Sequence, residues 1–247
     1  MKRPAFQIKF KDRLAAGKVL SSTLCTYKND RGGVTVIGIA RGGVIVADPI
    51  ADKLNADLDI IVPRKLRSPH NSDNAIGAIM HDGSLYLDSS TLQSHDHNIS
   101  NEYIEMEKSE QKKEMERKLG TYRPYSRGYE ITDRTVILVD DGIATGATMI
   151  RAARWIRKQE PKQLIIASPV APKEAIESLK NEVYQVEIIR KPSDLKAVEQ
   201  FYQEFASVSD HQILRVAKRR FDSEFLIQPL YHSKYRKLES LILVTMV

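Results

Sequence analysis

Val136-Ile137-Leu138-Val139-Asp140-Asp141-Gly142-Ile143-Ala144-Thr145-Gly146-Ala147-Thr148-Met149 is the stretch from which the architecture can be read. With Thr135 it opens as a run apolar on both faces, the mark of a fully buried strand over 135–139. Two adjacent carboxylates follow, and a small-residue turn leads into a helix over 145–158. Further along, apolar runs at 164–170 and 183–189 read as strands around a helix over 172–180, where Pro172 suits the first turn. Upstream, residues 34–40 form a β-branched run bounded by Gly32-Gly33 and Gly42-Gly43. Val44, Ala47, Ile50, Ala51 and Leu54 then recur at helical spacing, and a third run at 58–62 ends at Pro63. Strands that alternate with helices in this way predict an α/β fold, an open parallel sheet covered by helices on both faces, with Rossmann-like topology. Ligands of such sheets sit beyond the carboxyl ends of the strands, which directs attention to the loops after Ala40, Val62 and Val139.

The central region has another character. Residues 75–88 read as two short strands joined near Asp82-Gly83, and 100–119 as a highly charged helix with sparse apolar positions. Together they predict a solvent-facing hood, at about 80–130, inserted into the sheet domain. Two further helices are expected at 195–205 and 210–219, forming a C-terminal helical extension.

Composition narrows the function classes. The chain has 247 residues, 42% of them hydrophobic, enough for a full core. Its formal charge of +6 and pI near 9.2 suit an anionic ligand, but basic and acidic residues are mixed along the chain. The one concentrated basic run, Lys218-Arg219-Arg220, lacks interleaved aromatic residues, so nucleic acid is not the expected partner. One cysteine, Cys25, excludes an internal disulfide and any paired-cysteine zinc site, and points to a cytoplasmic protein. No apolar run reaches the length of a membrane span, and the terminal run 241–247 is far too short. Cys25 is expected to be a packed small residue, and Met149 and Trp155 core. His95-Asp96-His97 has no third ligand at a meaningful spacing and reads as a surface loop.

The turn after Val139 carries the chemistry. Backbone N–H groups at a helix start, with Gly146 allowing close approach, make a cradle for a phosphate dianion, to which Thr145 and Thr148 add hydroxyls. Carboxylates beside such a cradle need hydroxyl donors or a hydrated magnesium ion in front of them. A ribose 5-phosphate offers hydroxyls and phosphate in one molecule. The Walker A and dinucleotide-binding fingerprints are both absent. Arg41-Gly42-Gly43, at the start of the earlier helix, forms a second anion nest. Arg64 and Lys65 follow the next strand side by side, where a planar fork and a point charge could share a diphosphate. The polar stretch 67–74 fits a lid.

The segment 136–149 resembles the signature of the type I phosphoribosyltransferases, enzymes that use 5-phosphoribosyl 1-diphosphate (PRPP). Phe10-x-Asp-Arg-x-x-Ala-Gly17, Ile39-Ala-Arg41-Gly42-Gly43, Val62-Pro-Arg64-Lys65-Leu66, Ala75-Ile-Gly-Ala78 and Phe201-Tyr-x-x-Phe205 are similar, more narrowly, to a group of uncharacterised members with an inserted hood. The resemblance implies a phosphoribosyltransferase domain over 6–217 and a tail over 218–247. It implies that Asp140 and Asp141 hold the ribose hydroxyls and, through water, Mg2+. Ala144, Thr145, Gly146, Ala147 and Thr148 would hold the 5-phosphate, and Arg41, Gly42 and Gly43 the diphosphate, with Arg64 and Lys65 as catalytic residues. The implied reaction moves the phosphoribosyl group from PRPP to a small-molecule acceptor, a nitrogen heterocycle or nucleobase; the alternative is a PRPP-binding regulator without turnover. Similar proteins are often homodimers. Ala144 departs from the acidic residue that the hypoxanthine-guanine branch carries before Thr-Gly, which disfavours that branch.

Overall fold

The computed structural model describes residues 9–30, 32–69, 75–80, 82–87, 99–123 and 128–227, with side chains to residue 220. Five strands, β1 (Val34–Ile39), β2 (Asp57–Ile61), β6 (Thr135–Val139), β7 (Gln163–Val170) and β8 (Gln185–Arg190), form a parallel sheet in the order β2-β1-β6-β7-β8. Helices α1 (Arg13–Thr23), α2 (Gly42–Leu54), α4 (Ala147–Arg157) and α5 (Lys173–Lys180) cover it. All five residues of β6 are buried. Val136 and Leu138 turn to one side, into a cluster with Trp155 and Ile156 of α4; Ile137 and Val139 turn to the other, among Val46, Ala47 and Ile50 of α2. Period-2 alternation with apolar residues on both faces is what two helical layers demand. Each such side chain contributes about 1.5–3 kcal/mol relative to exposure.

Helix α1, which periodicity did not reveal, lies against α2 at close range. A Cβ on Gly17 would overlap the Val46 carbonyl oxygen and come 2.6 Å from Pro49 Cγ. Glycine is required there by the approach of the two helices.

A second sheet is antiparallel, β3 (Arg64–Arg67), β4 (Ala75–Ile79) and β5 (Leu85–Leu87) in that order, with helix α3 (Asn101–Tyr122) over it. This layer begins at Arg64, ahead of the expected 80. Helix α3 is not a freely solvated rod: Ile104, Glu107, Gln111, Met115 and Tyr122 form a buried stripe. Two of its five positions are polar, which is why the sequence shows so few apolar ones.

The helix expected at 195–205 is replaced by a short 3-10 turn, Val198–Phe201, and an extended Tyr202. Tyr202 bridges Phe10; the Phe10 N–H donates to the Phe201 carbonyl at 2.9 Å and the Gln203 N–H to that of Phe10 at 2.8 Å. Pairing with a distant segment outweighs local helix preference there. Helix α6 (Asp210–Ile227) does form and runs past 219. Arg219 and Arg220, from the basic run, pair with Asp48 and Asp52 of α2. Met149 and Trp155 are buried as expected, but Cys25 is exposed. It opens a 3-10 turn after α1, outside the core that Leu20 and Leu24 enter. Residues 70–74 of the expected lid, His95-Asp96-His97 and the run 241–247 lie outside the described residues. No helix among the described residues is long and apolar enough to cross a membrane.

Candidate functional site

Strands β1 and β6 are neighbours whose connections leave in opposite directions, β1 through α2 to β2 and β6 through α4 to β7. A crevice opens at such a switch point, beyond the carboxyl ends of both strands. Register pairs Gly38 with Val139, so the loops that follow, Ala40 to Gly43 and Asp140 to Gly146, face one another. The Ala40–Arg41 peptide is cis.

Close approach of these loops depends on Gly42 and Gly43. A Cβ on Gly43 would lie 2.6 Å from the Val139 carbonyl oxygen and 2.9 Å from Asp140 Cα; one on Gly42 would overlap the Asp141 carboxylate. The two glycines expected to bind diphosphate are thus packed directly against the two acids expected to bind ribose.

The acids are in different surroundings. Asp140 Oδ1 accepts from the Asp141 N–H at 2.8 Å. Burial, and next the charge of Asp141, push the Asp140 carboxyl well above its usual range. Asp141 is held by Arg13, whose Nε donates to Oδ2 at 2.6 Å. Tyr202 donates its hydroxyl to the Asp141 carbonyl oxygen at 2.6 Å, and burial, followed by the Asp141 charge, raises the phenol above its ordinary range. Neither Arg13 nor Tyr202 was assigned a site role from the sequence. The motif Phe10-x-Asp-Arg contained the first, but only its contact 128 residues away reveals what it does.

Gly146 adopts φ +83° as the N-cap of α4. A Cβ there would meet nothing nearer than 3.8 Å, so backbone conformation rather than crowding calls for glycine. Helix α4 has no side-chain cap and no acidic residue in its first turn. Its leading N–H groups and positive dipole end lie at the turn after the acids, the Ala147 N–H held by Thr145 Oγ1 at 3.4 Å, with Ala144 and Thr145 exposed and Ala147 and Thr148 half-buried. These are the surroundings a phosphate needs.

Arg41 is exposed and lies 3.6 Å from Asp210, at the start of α6. Asp210 also accepts from the Tyr122 hydroxyl at 2.5 Å, which holds its carboxyl below the usual range. Arg64 opens β3 and donates Nε to Gln111 Oε1 at 3.0 Å. Lys65, next on the strand, is exposed; alternation sends the two side chains to opposite faces of the sheet. Asp140, Asp141, Gly42, Gly43 and the turn 144–148 are therefore brought together, whereas Arg64 belongs to the hood sheet and Arg41 is turned towards α6.

A model of the phosphoribosyl transferase domain matches residues 12–204. Two Mycobacterium tuberculosis proteins, from strains CDC 1551 and H37Rv and both named provisionally as phosphoribosyl transferases, are 30% identical over 210 residues, 85% of this chain and 46% of theirs. The chain spans about half the length of these curated relatives. The crystal structure of TT1426 from Thermus thermophilus is similar at 33% identity and a TM-score of 0.71, covering 85% of this chain and 98% of that one.

Proposed function

This chain belongs to the phosphoribosyl transferase family, and from that premise we propose that it transfers a 5-phosphoribosyl group from PRPP to a nitrogen heterocycle. The observation that carries the reading is the run of one β–α turn from paired carboxylates, packed against Gly42 and Gly43, to a helix whose N-cap is the side-chain-free Gly146. A ribose 5-phosphate fits this run by its hydroxyls on Asp140 and Asp141 and its phosphate on the amides of residues 144–148 and the Thr145 and Thr148 hydroxyls. The diphosphate would extend along Gly42 and Gly43, within reach of the Arg41 charge.

In the transfer, the anomeric C–O bond to diphosphate breaks and a C–N bond to the acceptor forms; the acceptor nitrogen gives up its proton. Positive charge develops on the ribose ring as the first bond loosens, and preorganised carboxylates stabilise it. Because Arg64 and Lys65 leave opposite faces of the hood sheet, at most one of them supplies positive charge for the departing diphosphate. Arg64 would do so from its seat on Gln111.

Among the described residues no cluster of three or more His, Cys, Asp or Glu could by itself cage a metal. Two adjacent carboxylates do fit magnesium held largely by water and ligand oxygens, with Asp140 and Asp141 its contacts from this chain. When bound, the ion neutralises diphosphate charge. A cytoplasmic setting is proposed on the single cysteine of the chain, which leaves no internal disulfide to form.

The test is incubation with PRPP, magnesium and a panel of purine, pyrimidine and pyridine bases, reading diphosphate release. Base-dependent release abolished by Asp141→Asn is expected. Binding of PRPP without base-dependent release would replace the transferase with a PRPP-binding regulator, and no binding at all would overturn the ribose site.

A further inference from the structure

Asp141 is gripped from behind by segments remote in sequence. Besides its bond to Asp141, Arg13 donates Nη1 to the Ala206 carbonyl oxygen at 2.7 Å, and its guanidinium lies 3.7 Å from the centroid of the Phe205 ring. Phe205 is tilted against Tyr202, with centroids 4.9 Å apart, and Tyr202 against Phe10 at 5.6 Å. The Arg13 and Asp141 side chains are 11% and 17% exposed. A planar fork with donors fixed in direction can serve a carboxylate and a carbonyl together, which a lysine ammonium cannot do with the same geometry.

Gly42 belongs to the same packing. A Cβ there would overlap Asp141 Oδ2 and lie 3.0 Å from Arg13 Nε. The backbone of the loop assigned to diphosphate therefore rests against the ion pair itself.

We propose that Arg13 is a positioning residue for sugar recognition: it engages Oδ2 of Asp141, leaves Oδ1 to accept a ribose hydroxyl, and with Tyr202 fixes that carboxylate relative to the Gly42 loop. The inference rests on the ribose reading of the site. It predicts that Arg13 affects affinity for the sugar and leaves the phosphate cradle, built on Gly146 and α4, unchanged.

The experiment measures binding of two probes, ribose 5-phosphate and inorganic phosphate, with magnesium, to the full chain by calorimetry. Arg13→Gln is expected to weaken ribose 5-phosphate about tenfold, as loss of a charge-assisted anchor implies, while phosphate affinity stays within about twofold. Arg13→Lys should fall between wild type and Arg13→Gln on the sugar probe. Arg13→Gln combined with Asp141→Asn should bind ribose 5-phosphate no more weakly than Asp141→Asn alone, because the arginine acts through that acid. Circular dichroism melts accompany each variant. If Arg13→Gln does not fold, Arg13→Lys carries the comparison: loss on the sugar probe alone supports the inference, and unchanged binding overturns it. Additive effects in the double variant, or equal losses on both probes, also overturn it. If wild type binds phosphate but shows no added affinity for ribose 5-phosphate, the ribose reading fails instead.

Discussion

Gln111 Oε1 accepts a hydrogen bond from Arg64 Nε at 3.0 Å, and Gln111 in turn donates Nε2 to Glu107 Oε1 at 3.1 Å. Glu107 also accepts from the Arg67 N–H at 3.0 Å. Two nearly inaccessible polar side chains on α3 thus fasten the strand that carries Arg64. Buried polar groups persist only when hydrogen-bonded, so this chain of contacts is a structural requirement as well as a seat for the arginine.

Gln111→Leu should accordingly destabilise the fold by about 1–3 kcal/mol, the usual cost of unsatisfied buried groups. Urea denaturation at pH 7 reads this. Diphosphate release should fall as well, since Arg64 loses its fixed place, while Gln111→Glu should keep Arg64 seated at the cost of crowding Glu107 with like charge. Wild-type stability in the leucine variant would show that the buried contacts are not those described.

Gly42 and Gly146 should respond differently to alanine. At Gly42 the new methyl overlaps the Asp141 carboxylate that Arg13 holds in place, so binding of PRPP should be lost and the melting temperature should fall as the ion pair is displaced. At Gly146 there is room, and the penalty is the positive φ, about 1–2 kcal/mol. The second variant should therefore melt no lower than the first and bind better. Thermal melts paired with magnesium-PRPP calorimetry decide, and the reverse ranking would contradict the geometry.

Much of this could be read locally. Val136 to Val139 is apolar on both faces, and the acids, the glycine and the threonines of the turn lie within about ten residues of it; periodicity and turn chemistry record such features directly. What escaped is long-range. Arg13 meets Asp141 across 128 residues, Tyr202 across 61, and Arg64 meets Gln111 across 47. A pairing between distant segments leaves no periodic trace in either. Glu107 and Gln111 point the same way: polar residues on a buried stripe made α3 look solvated all round when one face of it packs on the hood sheet. Gly17, by contrast, was legible as a glycine but not as the point where two helices touch.

Acid should weaken the fold at the far end of the sheet from the site. Asp30 has its carboxyl lowered to about 2, first by the hydrogen bond from Lys162 Nζ at 2.6 Å, then by those from Thr135 Oγ1 at 2.6 Å and the Gly32 N–H at 3.3 Å. An unfolded aspartate titrates near about 3.9. A folded value below the unfolded one contributes stability that is complete above about pH 4 and disappears as pH falls towards about 2. Asp30→Asn should remove that component, so its stability should differ from wild type at pH 7 and converge with it near pH 2. Denaturation curves across that range that stay parallel would exclude the mechanism.

The basic run of α6 offers the last prediction. Arg220 Nη2 lies 3.0 Å from Asp48 Oδ1 and 2.9 Å from Asp52 Oδ1, and donates to the Asp48 carbonyl oxygen at 2.5 Å; Arg219 joins the same two acids. Asp48 is among the few buried charged residues, and these two arginines compensate its charge. Removing one partner leaves charge that burial penalises, whereas removing both removes the penalty. Arg220→Gln should cost about 1–3 kcal/mol, because Arg219 still neutralises Asp48 in part. Adding Asp48→Asn should recover some of that loss, and a double-mutant cycle in urea gives the coupling directly. The same pairing neutralises part of the charge of the run, although Arg219 stays more than half exposed, so the affinity of wild type for single-stranded RNA should be weak at physiological salt. Additive losses in the cycle, or tight RNA binding with a steep salt dependence that Arg220→Gln abolishes, would show that the run faces outward and not onto α2.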